Sequence, residues 1–301
     1  MIQYCNVPLA SPVKFIKNTS TPPPGFDGDW FVRQILPFQR NLNYQQKWQV
    51  GDSTSVQITS TIPPSPIKVY DCQGNVLFTL AWTSVLTYSG ASVYECALNL
   101  DAAVNKIVYL YFEATMMATS FKWVSEPIYV KTTWPLTNLF KYYHFENVQD
   151  VVFTTGYRPV FRCEADILDA NFLHESYDFV DEIHDTKLLS GTPYREFKLD
   201  IGTAPGVAPW VVDILNRIFC FSHVEVKGLQ YAKVSGAKWD INRVKGYPLI
   251  GASMDITEAK NLFSNQQNVN TIEPGIVTGW MFSPFFGTAT NIEVLQIEKI
   301  N

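Results

Sequence analysis

Polar and apolar residues alternate along several short stretches in the first half of the chain, which is the pattern of strands with one buried face. Residues 107–115 are instead continuously apolar and aromatic, which predicts a strand at the centre of its sheet. A turn centred on Gly74 predicts a hairpin. Together these closely spaced strands predict an immunoglobulin-like β-sandwich over residues 29–134. The predicted strands are residues 55–60, 67–70, 76–80, 93–100 and 107–115.

Segments that contain proline bound this sandwich. Pro22, Pro23 and Pro24 lie in the sequence NTSTPPPGFDG, which favours extended backbone and blocks helix. Residues 1–28 are therefore predicted to be irregular and to include an extended N-terminal arm, which stays loose or lies along a neighbour. At the other end, Pro135 follows the last predicted strand. A second domain is predicted over residues 135–301.

The second domain is predicted to be β-rich with α+β character, because strand-like segments surround one helix. Over residues 208–219, apolar side chains recur at spacings of three and four and form a single stripe. Pro209 suits the first helical turn, where its missing N–H costs nothing. The chain is thus predicted to be mainly β with one amphipathic helix. The strands predicted here are residues 139–145, 150–154, 157–165, 194–201, 223–226, 229–234, 237–241 and 291–299.

The amino-acid composition indicates which kinds of partner the chain could bind. Charged residues make up 17% of the 301 residues, against about 25% in typical soluble domains, and 20 Phe, 15 Tyr and 8 Trp make the chain rich in aromatics. These features fit an aromatic β-rich core. They also fit a surface that is buried against neighbouring subunits, and the two interpretations are compatible. The net charge of -5 argues against a nucleic-acid partner.

The sequence predicts neither a secretory signal nor a membrane span. The first residues, MIQYCNVPLASPVKF, lack a basic segment followed by an apolar stretch. No window of the chain approaches the ~18 consecutive apolar residues of a transmembrane helix. We therefore expect the chain to be made and folded in a cytoplasm.

The five cysteines are far apart and form no C-x-x-C pair, so they are predicted to be reduced and mostly buried. Cys72 and Cys96 leave one disulfide between neighbouring strands as an alternative. Cys163 or Cys220 with His223 forms a candidate Cys/His pair, but no third residue can be assigned to orient it. A buried cysteine and a surface histidine are the simpler interpretation.

Two further segments hold residues that can bind ions. Residues 174–185 (HESYDFVDEIHD) are the densest set of potential cation ligands, but their spacing matches neither an EF-hand nor H-E-x-x-H. A solvated acidic loop or edge is the simpler interpretation. Gly202 and Gly206 precede the helix and could hold an anion at its N-terminus, although no Lys-Ser/Thr follows. No catalytic, cofactor or metal site is therefore predicted.

An apolar aromatic segment near the end of the chain is a candidate for subunit contact. Trp280, Phe282, Phe285 and Phe286 lie in the sequence GWMFSPFFG, where glycine and proline favour a loop. Aromatic side chains on a loop either pack back onto their domain or face a partner. With the three prolines of the N-terminal arm, these four residues are the candidate interface.

Two stretches of the chain carry a resemblance. The first comprises residues 123–130 (WVSEPIYV), Pro135, Thr137, Tyr142, Asn147 and residues 150–153. The second comprises residues 199–202 (LDIG), 206–210 (GVAPW), 216–218 (NRI), 226–228 (VKG), Tyr231, 236–237 (GA) and 247–249 (YPL). Together they resemble virion or tail structural proteins encoded in phages and prophages of Bacteroidota, over most of residues 30–260.

This resemblance implies a structural subunit of a phage tail or tail-like particle, such as a tail-tip, baseplate or adaptor-ring protein. Its partners would be further copies of itself and other virion proteins, its location the virion after assembly in the host cytoplasm, and it would not be an enzyme. Two other hypotheses stay open. One is a carbohydrate-binding or adhesin module that stacks sugars on Trp48, Trp82, Trp134 or Trp239. The other is a glycan hydrolase that acts through residues 174–185.

Overall fold

A computed structural model of the protein confirms that the chain is mainly β. It describes residues 4–18, 44–88, 90–116, 119–180, 184, 186–202, 206–243, 246 and 248–259. These residues all belong to one compact unit, Met1–Lys260.

The strands before residue 132 form two sheets that pack face to face as a β-sandwich. These strands are β1 (Cys5–Asn6), β2 (Phe15–Asn18), β3 (Gln46–Gln49), β4 (Thr54–Ser60), β5 (Ile67–Asp71), β6 (Val76–Leu80), β7 (Thr83–Tyr88), β8 (Ala91–Leu98), β9 (Ile107–Met116), β10 (Thr119–Ser125) and β11 (Ile128–Lys131). One sheet has the order β1-β4-β8-β7. The other runs β2-β10-β9-β11-β3, with β5 paired to β9 and β6 paired to β5.

Strand β9 is central, as its continuous apolar sequence predicts, because it pairs with β5, β10 and β11. Its Phe112 is fully buried and stacks on Trp123, with ring centroids 5.1 Å apart. Val56 and Ile58 of β4, in the opposite sheet, are also fully buried in this core. Burial of each such side chain contributes about 1.5–3 kcal/mol, so the interior of the sandwich supplies its main stabilisation.

The later strands form a third sheet, which closes on itself. These strands are β12 (Thr137–Tyr143), β13 (Val160–Val180), β14 (Thr186–Ile201), β15 (His223–Val226), β16 (Leu229–Lys233), β17 (Asp240–Arg243) and β18 (Ile250–Glu258). The order is β14-β13-β12-β15-β16-β18-β17, and an additional pairing of β14 with β18 joins the two ends. The sheet is therefore a small barrel, in which β16 and β17 pair with different parts of the same edge of β18.

The helix predicted over residues 208–219 is confirmed as α1 (Pro209–Ile218). Ala208 is its N-cap residue, in extended backbone, and Pro209 occupies the first helical turn. Ile214, Leu215 and Ile218 are buried in the same core as the inward-facing strands of the barrel. The apolar stripe thus fixes which face of the helix covers the core.

The sandwich and the barrel are joined by buried contacts. Tyr142 of β12 donates a hydrogen bond from its hydroxyl to the carbonyl oxygen of Ala10, at 2.7 Å. Gln57 of β4 donates from Nε2 to the carbonyl oxygen of Val152 and accepts from the Val152 N–H, at 2.9 and 2.7 Å. Ala10 and Tyr44, from the N-terminal half of the chain, also belong to the core of the barrel. The two parts therefore form one packed unit.

The structure corrects several local predictions. Residues 4–18 were expected to be irregular, but β1 and β2 lie in this segment and extend the two sandwich sheets along β4 and β10. Residues 150–154 are not a strand, because a tight turn is followed by a 3₁₀ turn at Phe153–Thr155. The strand expected at 237–241 begins at Asp240 instead. Residues 19–28 and the strand predicted at 291–299 lie outside the described residues.

Candidate functional site

The interface residues predicted from sequence lie outside the part of the chain that the structure describes. They are Pro22, Pro23, Pro24, Trp280, Phe282, Phe285 and Phe286. Their role in subunit contact stays a prediction. The candidate functional surfaces described below come from other parts of the chain.

The most prominent surface feature is a long β-hairpin made by β13 and β14. Only the inner parts of these strands belong to the barrel, since β12 pairs with residues 160–164 and β18 pairs with residues 196–201. Residues 172–180 and 186–195 pair with each other, and no other described strand pairs with them. We call this two-stranded ribbon the hairpin arm. At about 3.4 Å per residue, it extends about 30 Å beyond the barrel.

The hairpin arm decides between the two forms expected for residues 174–185. A solvated loop or edge was expected there, and up to Val180 the segment is an exposed strand that pairs with β14 alone. Two register shifts, one between Leu168 and Asn171 and one between Tyr177 and Asp178, interrupt the pairing. The first shift places one extra residue in β13, before this segment, and the second places one extra residue in β14. Each shift reverses the alternation of side chains in the strand that holds the extra residue.

One face of the hairpin arm continues the inner face of the barrel. Leu199 of β14 is buried in the core, and Phe197 packs against that core beside Tyr231, with ring centroids 5.7 Å apart. Alternation along the strand places Arg195 on the same face. Phe172 lies directly opposite Arg195 in the ladder and so shares this face. The apolar face of the barrel therefore extends onto the arm beyond the point where the core ends.

Large apolar side chains on the hairpin arm are exposed. Phe172 is 83% exposed, the highest value for any large apolar side chain among the described residues. Near the tip, Phe179 is 52% and Val180 is 54% exposed. A two-stranded ribbon has no second layer in which to bury such groups, and its own pairing is only marginally stable in water. Contact with another molecule would remove this apolar surface from water.

Buried ionic contacts fix the base of the arm to the sandwich. Arg162, on the inner part of β13, donates to both carboxylate oxygens of Asp52, from Nε at 2.6 Å and from Nη2 at 2.7 Å. Glu164, two residues further along the strand, forms an ion pair with Lys47 at 3.0 Å and accepts a hydrogen bond from the Tyr44 hydroxyl at 3.2 Å. The arm is thus mounted on a rigid base.

A second feature is a cleft where the sandwich meets the barrel. It has a volume of about 470 Å³. Its walls come from β1, β4, the end of β7 and the loop of residues 147–152. The exposed side chains of Tyr4 and Tyr88 line the cleft on the side of the sandwich. Asn147, Gln149 and Asp150 line it on the side of the loop.

The loop side of this cleft is a tight two-residue turn. Val148 and Val151 each donate a backbone hydrogen bond to the other's carbonyl oxygen, at 3.2 and 3.0 Å. The two residues between them have left-handed backbone, with φ of 53° at Gln149 and 64° at Asp150. Two consecutive positive φ values define a type I′ turn, which strongly favours Asn-Gly. Gln-Asp gives no such signal, which is why the sequence did not predict this turn.

The described cysteines and histidine do not form a nucleophilic pair. All five cysteines are free, so Cys72 and Cys96 form no disulfide. Burial raises the pKa of the Cys163 thiol well above its ordinary value, which keeps it protonated and unreactive. Cys220 is exposed, and its Sγ lies 3.2 Å from the carbonyl oxygen of Asn216. His223 stacks on Tyr143 instead, with ring centroids 4.3 Å apart.

The candidate ion sites gain no support from the described residues. Within them, no group of three or more His, Cys, Asp or Glu side chains is placed to hold a metal ion. In the segment 174–185, His174 and Asp178 are exposed on the hairpin arm, whereas Asp181, Glu182 and Asp185 lie outside the described residues. The loop between Gly202 and Gly206, proposed as an anion site, is also outside them.

The tryptophans considered for sugar stacking are not on open surfaces. Trp48 is buried in the core of the sandwich, and Trp82 packs partly buried against Phe112 at 5.3 Å. Trp134 packs on Tyr129 at 5.3 Å and donates its indole N–H to the carbonyl oxygen of Trp48. Trp239, the fourth, is also partly buried. Of these four side chains, Trp48 is therefore closed to a ligand, and the other three keep only part of their ring surface exposed.

A comparison with models of known protein families gives no match, and a search of curated proteins gives no relative. In the part of the chain that the structure describes, no helix has the length and apolar character needed to cross a membrane.

Proposed function

We propose that the chain is a structural subunit of a phage tail or tail-like particle, for example a baseplate or adaptor-ring protein, and that it works by assembling with further copies of itself and with other virion proteins. The hairpin arm is the observation that carries this proposal. Its exposed Phe172, Phe179 and Val180 lie on a ribbon that cannot bury them within the described part of the chain. Inside a particle, neighbouring subunits would cover them.

The mounting of the arm supports a role in assembly. An assembly contact must hold its geometry when the partner arrives, because ordering a flexible segment at that moment reduces affinity. The buried pair Arg162–Asp52 and the pair Glu164–Lys47 fix the inner part of β13 to the sandwich. The arm therefore projects from a pre-organised base. The low charged fraction of 17% agrees with a surface that is largely covered in an assembly.

Contacts of this kind suit a closed ring. An arm that projects from one side of a subunit and docks on a different surface of its neighbour makes a head-to-tail contact, and such contacts close into rings when the rotation permits. This proposal needs no catalytic step and no cofactor. It places the protein in the virion, after assembly in the host cytoplasm.

Shortening the arm tests this proposal. Residues 172–195 are replaced by Asn-Gly, so that the paired residues Asn171 and Glu196 flank a two-residue turn and the barrel keeps its pairing of β14 with β18. We expect the variant to fold with a normal circular dichroism spectrum and to lose the oligomer that the full-length chain forms. If the shortened variant forms an oligomer with the same number of subunits, the hairpin arm is not needed for assembly.

A carbohydrate-binding module is the second candidate function, and the cleft is the observation that favours it. Tyr4 and Tyr88 are partly exposed beside a set of amide and carboxylate side chains. This candidate is compatible with assembly, since a particle subunit can carry a ligand site on a surface that the arm does not use.

A further inference from the structure

We propose that the cleft between β1, β4, the end of β7 and the loop of residues 147–152 binds a neutral saccharide of mono- or disaccharide size. The inference rests on the shape and chemistry of the cleft and does not depend on the hairpin arm. Its volume of about 470 Å³ lies within the range of about 300–1,000 Å³ that is usual for small-molecule sites. Its position, where two packed parts of the molecule meet, is also usual for such sites.

The side chains in the cleft match the two kinds of surface that a sugar presents. A sugar ring has C–H faces that pack on aromatic rings and hydroxyl groups that both donate and accept hydrogen bonds. Tyr4 and Tyr88 supply amphipathic rings, exposed to 40% and 45%. Asn6 and Asn147 supply amides that donate and accept, and Asp150 supplies an acceptor. The Oδ1 of Asn147 already accepts from the Thr154 N–H at 3.1 Å, which fixes the direction of its NH₂ group.

The charge and the polar side chains of the cleft argue against an anionic ligand and against a purely apolar one. Asp150 is the only charged side chain among the described residues that line the cleft, and none of them is Lys, Arg or His. A phosphate, sulfate or carboxylate ligand would meet an uncompensated negative charge there. A purely apolar ligand would leave the amides and the carboxylate without hydrogen-bond partners, which costs about 1–3 kcal/mol for each buried group.

The strained backbone of residues 149 and 150 is consistent with a ligand-binding role for this loop. Gln149 and Asp150 both adopt left-handed φ values, which cost non-glycine residues roughly 1–2 kcal/mol each. Asn-Gly would form the same turn with less strain. Strained backbone of this kind concentrates at ligand-binding sites. Both strained residues line the cleft together with Tyr4 and Tyr88, and both have polar side chains.

Saturation-transfer difference NMR on the full chain tests the proposal directly. The probes are glucose, galactose, mannose, N-acetylglucosamine and the disaccharides maltose, lactose and chitobiose, with choline and inorganic phosphate as charged comparisons. We expect at least one sugar to receive saturation and to bind with measurable affinity, and neither charged probe to compete with it. Tyr88→Ala and Asp150→Asn should each weaken that affinity about tenfold or more, equivalent to about 1.4 kcal/mol. Binding of none of the sugars, or displacement of the bound sugar by phosphate or by choline, would overturn the proposal.

The double variant Gln149→Asn, Asp150→Gly separates a binding role from a structural one. It keeps the turn and relieves its strain, so its urea midpoint should rise while sugar binding is lost. Phe172→Ser, on the hairpin arm, is the matched control and should leave sugar binding unchanged. If the double variant binds sugar as the natural sequence does, the loop is not part of a binding site and the proposal is wrong, whatever the oligomeric state of the protein.

Discussion

Arg162 of β13 forms a bidentate ion pair with Asp52, in the turn between β3 and β4, through two hydrogen bonds of 2.6 and 2.7 Å. Both side chains are almost buried, with 11% and 7% exposed. Nη1 of Arg162 also donates to the Thr137 hydroxyl at 3.0 Å, and Oδ2 of Asp52 accepts from the Gln49 N–H at 2.9 Å. The pair therefore joins the sandwich, the start of the barrel and the base of the hairpin arm in one network.

Removal of either partner should destabilise the whole unit. In Arg162→Met, the carboxylate of Asp52 stays enclosed without its counter-charge, which typically costs about 3–5 kcal/mol. Urea unfolding at neutral pH measures this loss. Lys141→Ala is the control, because the Lys141–Glu225 pair has the lysine 57% exposed and should contribute less than about 1 kcal/mol. Equal losses in the two variants would show that the Arg162 network does not join the two parts.

Glu126, between β10 and β11, predicts a dependence of stability on pH. Burial raises the pKa of its carboxyl from 4.5 to about 7, and the ammonium of Lys14 only partly opposes this. A raised pKa in the folded state means that the contribution of Glu126 to stability is most favourable below pH about 4.5 and is lost as the pH rises through about 7. The loss is on the order of 3 kcal/mol.

Urea unfolding of the natural sequence and of Glu126→Gln, at a series of pH values between 4.5 and 8, isolates this effect. The glutamine variant cannot ionise, so the difference in unfolding free energy between the two proteins should grow with pH in favour of the variant. A difference that is constant with pH would contradict the raised pKa of Glu126.

Gly202 occupies a position that excludes a side chain. Its φ is +72°, and a Cβ atom would lie 2.6 Å from the carbonyl oxygen of Ile250 and 2.9 Å from the amide nitrogen of Val207. Gly202→Ala should therefore destabilise the protein by about 2 kcal/mol or more, through backbone strain and a clash with backbone atoms. Gly236→Ala is the matched control, since its φ is +76° but nothing lies within 4 Å. A thermal unfolding series should show the larger loss for Gly202; equal losses would contradict the close approach.

Substitution of Phe172 should change the oligomeric state of the protein without changing its fold. Phe172→Ser removes apolar surface from the hairpin arm and should shift the oligomer towards free subunits, with little effect on the unfolding free energy. Phe145→Ser is the control, because Phe145 is 71% exposed but lies off the arm. Sedimentation velocity over a range of concentrations compares the variants. Equal dissociation in both would mean that general surface apolarity, and not the arm, drives association.

The sequence predicts those parts of the fold in which one physical signal dominates. The stripe of Ile214, Leu215 and Ile218 predicts α1, and the unbroken apolar run of β9 predicts its central place. The turn at Gly74, with φ of 87°, predicts the hairpin of β5 and β6. In each case the signal is local, so no distant contact is needed to interpret it.

The two candidate functional surfaces, the hairpin arm and the cleft, have no local sequence pattern of this kind. One register shift at the base of the hairpin arm interrupts the alternation of β13, and one near its tip interrupts that of β14, and long strands are predicted from such alternation. The cleft depends on Tyr4, Tyr88 and Asp150, which are distant in the sequence and meet only because the sandwich packs on the barrel. The closure of the third sheet by β14 and β18 is equally a long-range pairing. Periodicity does not predict which strands pair.

The most direct test of the proposed function is the native mass of the purified full-length chain, measured by mass photometry and inspected by negative-stain imaging. We predict a discrete closed oligomer, seen as rings. When residues 172–195 are replaced by Asn-Gly, the mass should fall to that of a single shortened chain, slightly below the 34.2 kDa of the natural sequence. A full-length chain that stays monomeric at every concentration, and that binds no particle component, would contradict the account.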